Sequence, residues 1–394
     1  MSRFLWRPRF QNTVFSLGVC LMLLSLLLFP DQSVTAAKDG VQLCLNVIVP
    51  SLFPFFVLST LCVELGLIRA LGSLAGPLMA PLFRVGGACA GAFLLGIVGG
   101  YPVGARTAIA LYESGQCSRD EAERLMSFCN NSGPAFILGV VGAGIFSSSA
   151  AGLWLYGAHV AASILVGLLF RFYGKGTVTV SEFSPAHSAD ISVSELFIRA
   201  VKDAFSSAMN ICAFVIFFTV VIRLLFLTGI ITRLASILVL LLGNLGLHQD
   251  MAESLLSGAI EMTSGVWSLR DMAASLGNRL CMAAFILGWA GLSVHCQVLS
   301  FIGKSGLSTR TYFFGKLLHG IISAVLVFLL SRRLGWNHSV SAILAGQVTT
   351  IAHLSFGRAL TISLGAALGL WILLSLLSIP AAIKSAFLRR KNHV

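Results

Sequence analysis

Charged residues are scarce in this sequence. Only 11% of the 394 residues are Asp, Glu, Lys or Arg, whereas 57% are hydrophobic. A soluble domain averages about 25% charged residues, so this composition excludes an ordinary soluble domain. Apolar runs near or above the roughly 20 residues that a spanning helix needs recur along the chain. The sequence therefore predicts an all-α polytopic membrane protein.

Motifs for metals, disulfides and nucleotides are also missing. The 9 cysteines form no C-x-x-C pair and most lie in apolar runs, where they are expected to be buried small hydrophobes. The 8 histidines have neither H-x-x-x-H nor H-E-x-x-H spacing. No G-x-x-x-x-G-K-[ST] motif and no nucleophile–base pair is visible. We therefore expect no cofactor, no metal, no ATP-driven pumping by the chain itself and no enzymatic activity.

The formal net charge of +12 is explained by basic residues that flank the predicted membrane spans. The basic residues fall mainly in short segments between or beyond the apolar runs, which fits cytoplasmic flanks under the positive-inside rule. This pattern predicts a cell-membrane protein with both termini in the cytoplasm, and it favours headgroup contact over nucleic-acid binding. The residues are Arg3, Arg7, Arg9, Arg332, Arg333, Lys384, Arg389, Arg390 and Lys391.

The N-terminus allows two interpretations. Basic residues up to Arg9 precede an apolar run at 14–29, which is followed by "PDQSVTAA". That pattern is typical of a signal peptide cleaved after a small residue such as Ala36. We favour an uncleaved anchor span with a short external loop over residues 1–40, because the many later spans need no separate export signal.

A polar stretch, "GKGTVTVSEFSPAHSAD", divides the chain. It predicts a linker at 174–195 between a first membrane half at 41–173 and a second at 196–335, with C-terminal spans and a basic tail at 336–394. Ser192 and Glu195 have the spacing of a capping box at the start of the next helix. Ser118 and Glu121 have the same spacing, so "YESGQCSRDEAERL" predicts a surface helix-turn-helix.

Three matches in the same order indicate that the two halves are an internal duplication. "ELGLIRALGSLAGPLMAPLF" corresponds to "LTGIITRLASILVLLLGNLG", and "LLGIVGGYPVG" corresponds to "LLSGAIEMTSGV". The pentapeptide "AFILG" occurs at 135–139 and again at 284–288. Paired interruptions in two membrane halves are the best sequence indication of a midplane binding site in secondary transporters.

Two interrupted segments and the polar clusters that follow them supply the candidate solute-binding residues. The first break is "GGYPVGART" and the second is "EMTSGV". Polar side chains and backbone freed by glycine and proline could coordinate a polar ligand or cation. The candidates are Gly99, Gly100, Tyr101, Pro102, Gly104, Arg106, Asn130, Asn131, Ser132, Gly133, Thr263, Ser264 and Gln297.

Each candidate also has a structural interpretation. Gly100 and Gly104 predict either close helix packing or a re-entrant turn, and Gly87 with Gly91 predicts packing. Arg106 is either a snorkelling residue or the partner of an anionic group on a solute. "NNSGP" is either a ligand cluster or a helix-helix hydrogen-bond patch. His295 and Gln297 either line the same cavity or pack within the protein.

Glu261 lies in an otherwise neutral apolar run. An intramembrane carboxylate indicates function by default. It is predicted to ligate Na⁺ or carry a proton, and the alternative is an ion pair with Arg106.

The segment from "GGYPVGART" to "NNSGPAFILGVVGAGIF", with "GAIEMTSGV" and "GWAGLSVHCQV", resembles the YlbJ-type sporulation integral membrane proteins. These belong to the nucleoside-recognition, or Gate, domain group. The resemblance implies a multi-pass cell-membrane protein needed for the spore cortex. It also implies kinship with the repeat of concentrative nucleoside transporters, whose hairpin regions would correspond to 99–104 and 261–265. The ligand motifs of those transporters are not found here.

Two hypotheses follow. The first is a secondary transporter that moves a small polar or anionic solute, nucleoside-like by family name only, coupled to H⁺ or Na⁺. The second is a non-transporting scaffold or gate that assembles with sporulation membrane partners or with copies of itself. The duplicated broken helices favour the transporter.

Overall fold

The computed structural model describes residues 8–65, 67–174 and 192–334, together with the isolated residues 365, 369 and 372. The secondary structure of these residues is helical. Three short segments deviate from α geometry: π-helical Cys44–Ile48 and Ala135–Ile145, and the 3-10 turn Gly243–Leu245. The helices are α1 (Pro8–Leu28), α2 (Pro30–Leu43), α3 (Val49–Glu64), α4 (Leu67–Phe83), α5 (Cys89–Gly99), α6 (Val103–Glu113), α7 (Arg119–Phe128), α8 (Ser149–Phe170), α9 (Val193–Leu227), α10 (Ile230–Leu242), α11 (Gln249–Ile260), α12 (Met262–Trp267), α13 (Leu276–Trp289), α14 (Gly291–Ser305) and α15 (Thr309–Leu334).

Two sets of helices follow one another in the same order. In the first set a long helix, α3, leads to α4, the hairpin α5–α6, the broken helix formed by α7 and Ala135–Ile145, and the long α8. In the second set α9 leads to α10, the hairpin α11–α12, the broken helix α13–α14 and the long α15. The predicted pseudo-repeat of two halves with broken helices is thus present in the order of the elements.

Within the described residues, five helices are long and apolar enough to cross a membrane. They span Pro30–Cys62, Ser149–Phe170, Ser194–Leu227, Leu276–Gly303 and Thr309–Leu334. Their outer faces carry large exposed apolar side chains such as Phe217 and Phe314. In water such faces would be costly, whereas lipid accepts them. The fold is that of a polytopic α-helical membrane protein.

The first hairpin turns where the sequence breaks. Gly100 ends α5 with φ of 78°, and Pro102 directly precedes the first residue of α6. A Cβ on Gly100 would lie 2.9 Å from the Gly133 nitrogen, so the turn is both left-handed and closely packed. Gly104 packs on Cys129, whose carbonyl a Cβ would overlap. The glycine pair therefore combines a tight hairpin turn with close packing.

The second hairpin turns without glycine at its tip. Glu261 is extended, with φ of −138°, and its carboxylate caps α12 by accepting hydrogen bonds from Thr263 N and Ser264 N at 2.9 and 2.6 Å. Gly265 of α12 packs on Gly258 of α11. The matching breaks in "GGYPVG" and "EMTSGV" are therefore both hairpin tips.

One of the three sequence matches is not structurally equivalent. Residues 135–139 follow the break of their helix, whereas residues 284–288 precede the break at Ala290, which has φ of 80°. The pentapeptide "AFILG" is therefore a coincidence of apolar composition. The match between α4 and α10 does hold, because each helix immediately precedes a hairpin.

The predicted helix-turn-helix is present, with an exposed turn at residues 113–115, but its second helix is buried. The capping box of Ser118 and Glu121 is present, but residues 121–128 of α7 are all buried against neighbouring helices. The two buried carboxylates are accommodated by internal donors: Glu121 Oε1 accepts from Gly86 N at 2.8 Å, and Glu123 accepts from Tyr173 and Ser308. The polar residues of this segment predicted exposure, but in the structure the carboxylates of Glu121 and Glu123 accept hydrogen bonds from backbone N–H groups of neighbouring segments.

The proposed external loop near the N-terminus is also wrong. "PDQSVTAA" starts α2, which packs on α9, and both Ser33 and Ala36 are buried. Proline suits the first turn of a helix because that turn has unpaired N–H groups in any case. Ser192 caps α9 by accepting from Glu195 N at 3.2 Å. Residues 175–191 of the predicted linker, and the C-terminal segment beyond 334 apart from three isolated positions, lie outside the described residues.

Candidate functional site

Both hairpin tips, the first helix break and the helix that follows the second break meet at one cavity, which we call the central cavity. The first hairpin contributes residues 98–101 and the first helix break contributes Ser132 and Gly133. The second hairpin contributes residues 261–263, and α14, which follows the second break, contributes Ser293, Val294 and Gln297. Side chains of α3 and α9 complete the wall. Three interruptions that are far apart in sequence, together with α14, thus converge on a single site.

The lining of the central cavity is largely apolar and aromatic. Four phenylalanines face it, namely Phe55, Phe56, Phe136 and Phe214. The polar side chains are Tyr101, Ser132, Glu261, Thr263, Ser293 and Gln297. Apolar walls with a few converging polar groups are typical of small-molecule sites. The cavity volume is about 60 Å³, which is room for a few water molecules.

Larger cavities flank the central one. The first-hairpin vestibule, about 630 Å³, is lined by Pro102, Arg106 and Thr107, and it shares Gly99, Tyr101 and Gln297 with the central cavity.

The second-hairpin vestibule, about 520 Å³, is lined by Asp39, Gln42, Asn46, Arg223 and Ser264. Ser264 directly follows Thr263 of the central cavity. Each hairpin tip therefore separates the central cavity from a vestibule of its own.

Glu261 is 2% exposed and lines the central cavity. Each carboxylate oxygen accepts one backbone N–H of α12, and the positive end of that short helix favours the anion. The ion pair with Arg106 is not formed, because Arg106 lies exposed in the first-hairpin vestibule. Its place on the cavity wall would let the carboxylate meet a cation or a solute hydroxyl.

The "NNSGP" cluster is divided by the fold. Ser132 and Gly133 line the central cavity, and the Ser132 hydroxyl is buried with no hydrogen-bond partner among the described residues. Asn130 and Asn131 lie behind the cavity, each 1% exposed. Asn130 Oδ1 accepts from Ala105 N at 3.4 Å, and Asn131 Nδ2 donates to the Phe128 carbonyl at 2.9 Å. Their carboxamides hold the break in shape and do not face the cavity.

The other predicted residues are distributed between the cavities. Tyr101, Thr263 and Gln297 line the central cavity, whereas Ser264 faces the second-hairpin vestibule and lies 3.1 Å from Thr219 Oγ1. His295 is buried behind the cavity, where its Nδ1 lies 2.9 Å from the Tyr312 hydroxyl. His295 is absent from the lining of the central cavity, and its Nε2 has no hydrogen-bond partner among the described residues.

Sequence reasoning missed a buried basic cluster directly behind the cavity. Lys316 on α15 is fully buried, and its Nζ donates to the Tyr101 hydroxyl at 2.8 Å and to the Asn130 carbonyl at 2.9 Å. The same Nζ lies 3.2 Å from His319 Nδ1. His319 Nε2 lies 2.9 Å from the His159 carbonyl, and the two imidazole rings are 4.2 Å apart.

A signal for this cluster was present in "TYFFGKLLHGIIS", where a lysine and a histidine stand three residues apart in an apolar helix. Residues at that spacing share one helix face. A charged side chain within a spanning helix indicates function by default.

Solved structures of known transporters share this fold. The chain resembles variants of CNTnw, a concentrative nucleoside transporter, in an intermediate 2 state (TM-score 0.53, 15% identity, 82% of this chain and 87% of that one) and in an intermediate 1 state (TM-score 0.52, 14% identity, 82% and 88%). An outward-facing CNTnw variant gives a TM-score of 0.50 at 14% identity over 83% of this chain and 88% of that one. The chain thus shares the fold of CNTnw.

The relationship in sequence is more specific. Residues 45–186 match the family described as "Gate: Nucleoside recognition". The sporulation integral membrane protein YlbJ of Bacillus subtilis (strain 168) is 34% identical over 322 residues, which cover 76% of this chain and 78% of YlbJ. The chain belongs to the YlbJ family of sporulation integral membrane proteins.

Proposed function

We propose that this protein is a secondary transporter for a small polar or anionic solute. The observation that carries the proposal is the convergence of both hairpin tips, the first helix break and α14, which follows the second break, on the central cavity. Irregular backbone at membrane depth is tolerated only where it is buried in protein or lines a cavity. In secondary transporters, such paired interruptions hold the solute at the interface of the two repeats.

The two vestibules support alternating access. The central cavity is too small for a solute larger than a few waters, so binding requires one hairpin tip to withdraw. Withdrawal of the first tip joins the central cavity to the vestibule of Arg106, and withdrawal of the second joins it to the vestibule of Ser264. In this proposal the structure corresponds to a closed state between these two openings.

The lining supports a solute with one apolar, flat face and a polar edge. The four phenylalanines offer the apolar surface. The unpartnered Ser132 hydroxyl, together with Thr263 and Gln297, offers hydrogen bonds. Arg106 in the first-hairpin vestibule favours the approach of an anion. Glu261 is the residue that we assign to a coupling Na⁺ or H⁺.

Membership of the YlbJ family supports a role in sporulation. We propose that the transported solute is needed for formation of the spore cortex. Placement in the cell membrane with both termini cytoplasmic follows from the positive-inside pattern of the sequence.

Uptake into proteoliposomes tests the transport function. The probes are radiolabelled uridine, succinate and phosphate, with and without Na⁺ or pH gradients. We expect uptake of one solute class by wild type, at least a tenfold loss in Ser132→Ala and Glu261→Gln, and full uptake by the matched exposed controls Ser206→Ala and Asp203→Asn on α9.

The scaffold hypothesis predicts a different result. No uptake of any probe under any gradient, while the protein still captures sporulation membrane partners or its own copies, would reject transport. Full uptake by both cavity variants would reject the assignment of the site.

A further inference from the structure

The hydrogen bonds of Lys316 determine its protonation state in this conformation. Its Nζ has three neighbours at hydrogen-bond distance: the Tyr101 hydroxyl, the Asn130 carbonyl and His319 Nδ1. An ammonium has three N–H donors and no acceptor, whereas a neutral amine has two donors and one lone pair. A neutral amine would therefore need one of the three neighbours to donate a hydrogen to its lone pair.

None of the three neighbours has a hydrogen to give. The Asn130 carbonyl only accepts. The Tyr101 hydroxyl donates its hydrogen to the Leu287 carbonyl at 2.8 Å. His319 Nε2 faces the His159 carbonyl, so Nε2 carries the hydrogen of the neutral imidazole and Nδ1 is left as an acceptor. All three contacts are therefore satisfied together only by the ammonium.

We propose that Lys316 is a proton-binding site whose occupancy ties the first hairpin and the first helix break to α15. Tyr101 is the tip of the hairpin, Asn130 starts the break, and the chain through His319 reaches α8. The link from Tyr101 to Leu287 adds α13. One proton thus holds together elements of both halves.

The surroundings make this proton removable. The titratable groups that face Lys316 are Tyr101 from the hairpin, Cys129 beside the first break, His159 from α8, His295 from α14, and Tyr312 and His319 from α15 itself. No carboxylate of the described residues forms an ion pair with it. Burial of an ammonium without a counter-charge is costly. Lys316 therefore has two states: a charged one that keeps all three hydrogen bonds, and a neutral one that avoids the buried charge but loses one of them.

Proton release changes the contacts in a defined way. The N–H bond of Lys316 breaks, the proton passes to water, and Nζ keeps the electron pair. Two donors then face three acceptors, so one of the three contacts becomes a repulsion between lone pairs. The tip of the first hairpin, which closes the central cavity from its vestibule, is released in this state. The inference rests on the proposed transport function, for which it makes H⁺ the ion that gates the first hairpin.

Hydrogen–deuterium exchange of the full chain in lipid nanodiscs tests the site without any solute. Protection factors, corrected for intrinsic exchange, are measured for peptides covering 94–108 and 126–136 between about pH 6 and pH 10. In wild type we expect protection to fall about tenfold or more as the pH rises, which is the effect of losing a hydrogen bond to a charged group.

Variants separate a proton switch from a merely structural lysine. Lys316→Arg stays charged and should keep high protection at every pH. Lys316→Met should show low protection at every pH, and Lys202→Met, at an exposed lysine of α9, should behave as wild type. A wild type without pH dependence overturns the proposal, as does Lys316→Met or Lys316→Arg with the wild-type pH profile. If Lys316→Met does not fold, the pH profile of Lys316→Arg alone tests the proposal. If no probe is taken up but hydrogen-exchange protection still depends on pH as expected, the transport function is rejected and the proton site at Lys316 is retained.

Discussion

The Lys316 ammonium and the Tyr101 hydroxyl lie 2.8 Å apart although 215 positions separate them in sequence. The same ammonium lies 4.8 Å from the centre of the Tyr101 ring, at a distance typical of a cation–π contact. The pair joins the last described helix to the tip of the first hairpin. Because it connects the two halves at the edge of the central cavity, its loss should alter both stability and hairpin motion.

Removal of the Tyr101 hydroxyl tests this pair directly. Tyr101→Phe deletes the acceptor of Lys316 and the donor to the Leu287 carbonyl. Loss of a hydrogen bond to a charged group costs about 1.5–3 kcal/mol, so the temperature of thermal unfolding in detergent should fall. Tyr112→Phe on α6 is the control, and it should unfold near the wild-type temperature. Equal unfolding temperatures for all three proteins would contradict the role of the pair.

A methyl group at Gly104 should disrupt the first hairpin. A Cβ there would overlap the Cys129 carbonyl, which is backbone and cannot rotate away. Overpacking of this kind costs about 1–3 kcal/mol or more. Gly157→Ala on α8 is the matched control, because nothing lies within 4 Å of its Cβ. We expect Gly104→Ala to lower the unfolding temperature and Gly157→Ala to leave it unchanged or raise it.

Glu123 should make stability depend on acidic pH. Burial raises the pKa of this carboxyl, but hydrogen bonds from Tyr173, Arg119 and Ser308 N outweigh burial and lower the pKa below its usual value of about 4.5. A lowered pKa in the folded state stabilises the fold above the pKa of the unfolded chain, and this stabilisation is lost as the pH falls through the folded-state pKa.

Thermal unfolding of wild type and Glu123→Gln between about pH 3.5 and pH 7 checks this expectation. The two unfolding temperatures should differ most near neutral pH and converge at the acidic end. A difference in unfolding temperature that grows towards acidic pH would contradict the predicted lowering of the Glu123 pKa. Asp203→Asn, at an exposed carboxylate of α9, is the control.

The vestibules should be accessible from opposite sides of the membrane, because the hairpin tips of two related halves each separate the cavity from a vestibule of their own. Thr107→Cys in the first-hairpin vestibule and Gln42→Cys in the second are introduced singly, with the exposed Cys20 and Cys296 replaced by serine. A membrane-impermeant thiol reagent should label the two sites from opposite faces of sealed vesicles. Labelling of both from one face would contradict alternating access.

Local signals in the sequence located much of the candidate site. Glycine and proline in "GGYPVG" and the isolated Glu261 marked both hairpin tips, because a helix at membrane depth is interrupted only where backbone is buried or lines a cavity. The prediction that α7 is exposed was wrong. Charged residues on a helix do not reveal whether buried donors, such as Gly86 N, are placed to bind them inside the protein. The pentapeptide "AFILG" misled because apolar letters repeat by chance in a chain of this composition.

By itself the sequence determined the class of protein, the order of its two halves and the places where the helices break. These properties depend on composition and on local backbone chemistry, which are readable along the chain. Only the tertiary structure decided which polar residues face the cavity. It placed Ser132 on the wall and Asn130 behind it, and it brought Lys316 to the tip of a hairpin 215 positions away. Such contacts depend on how helices pack in three dimensions, and sequence spacing carries no record of that packing.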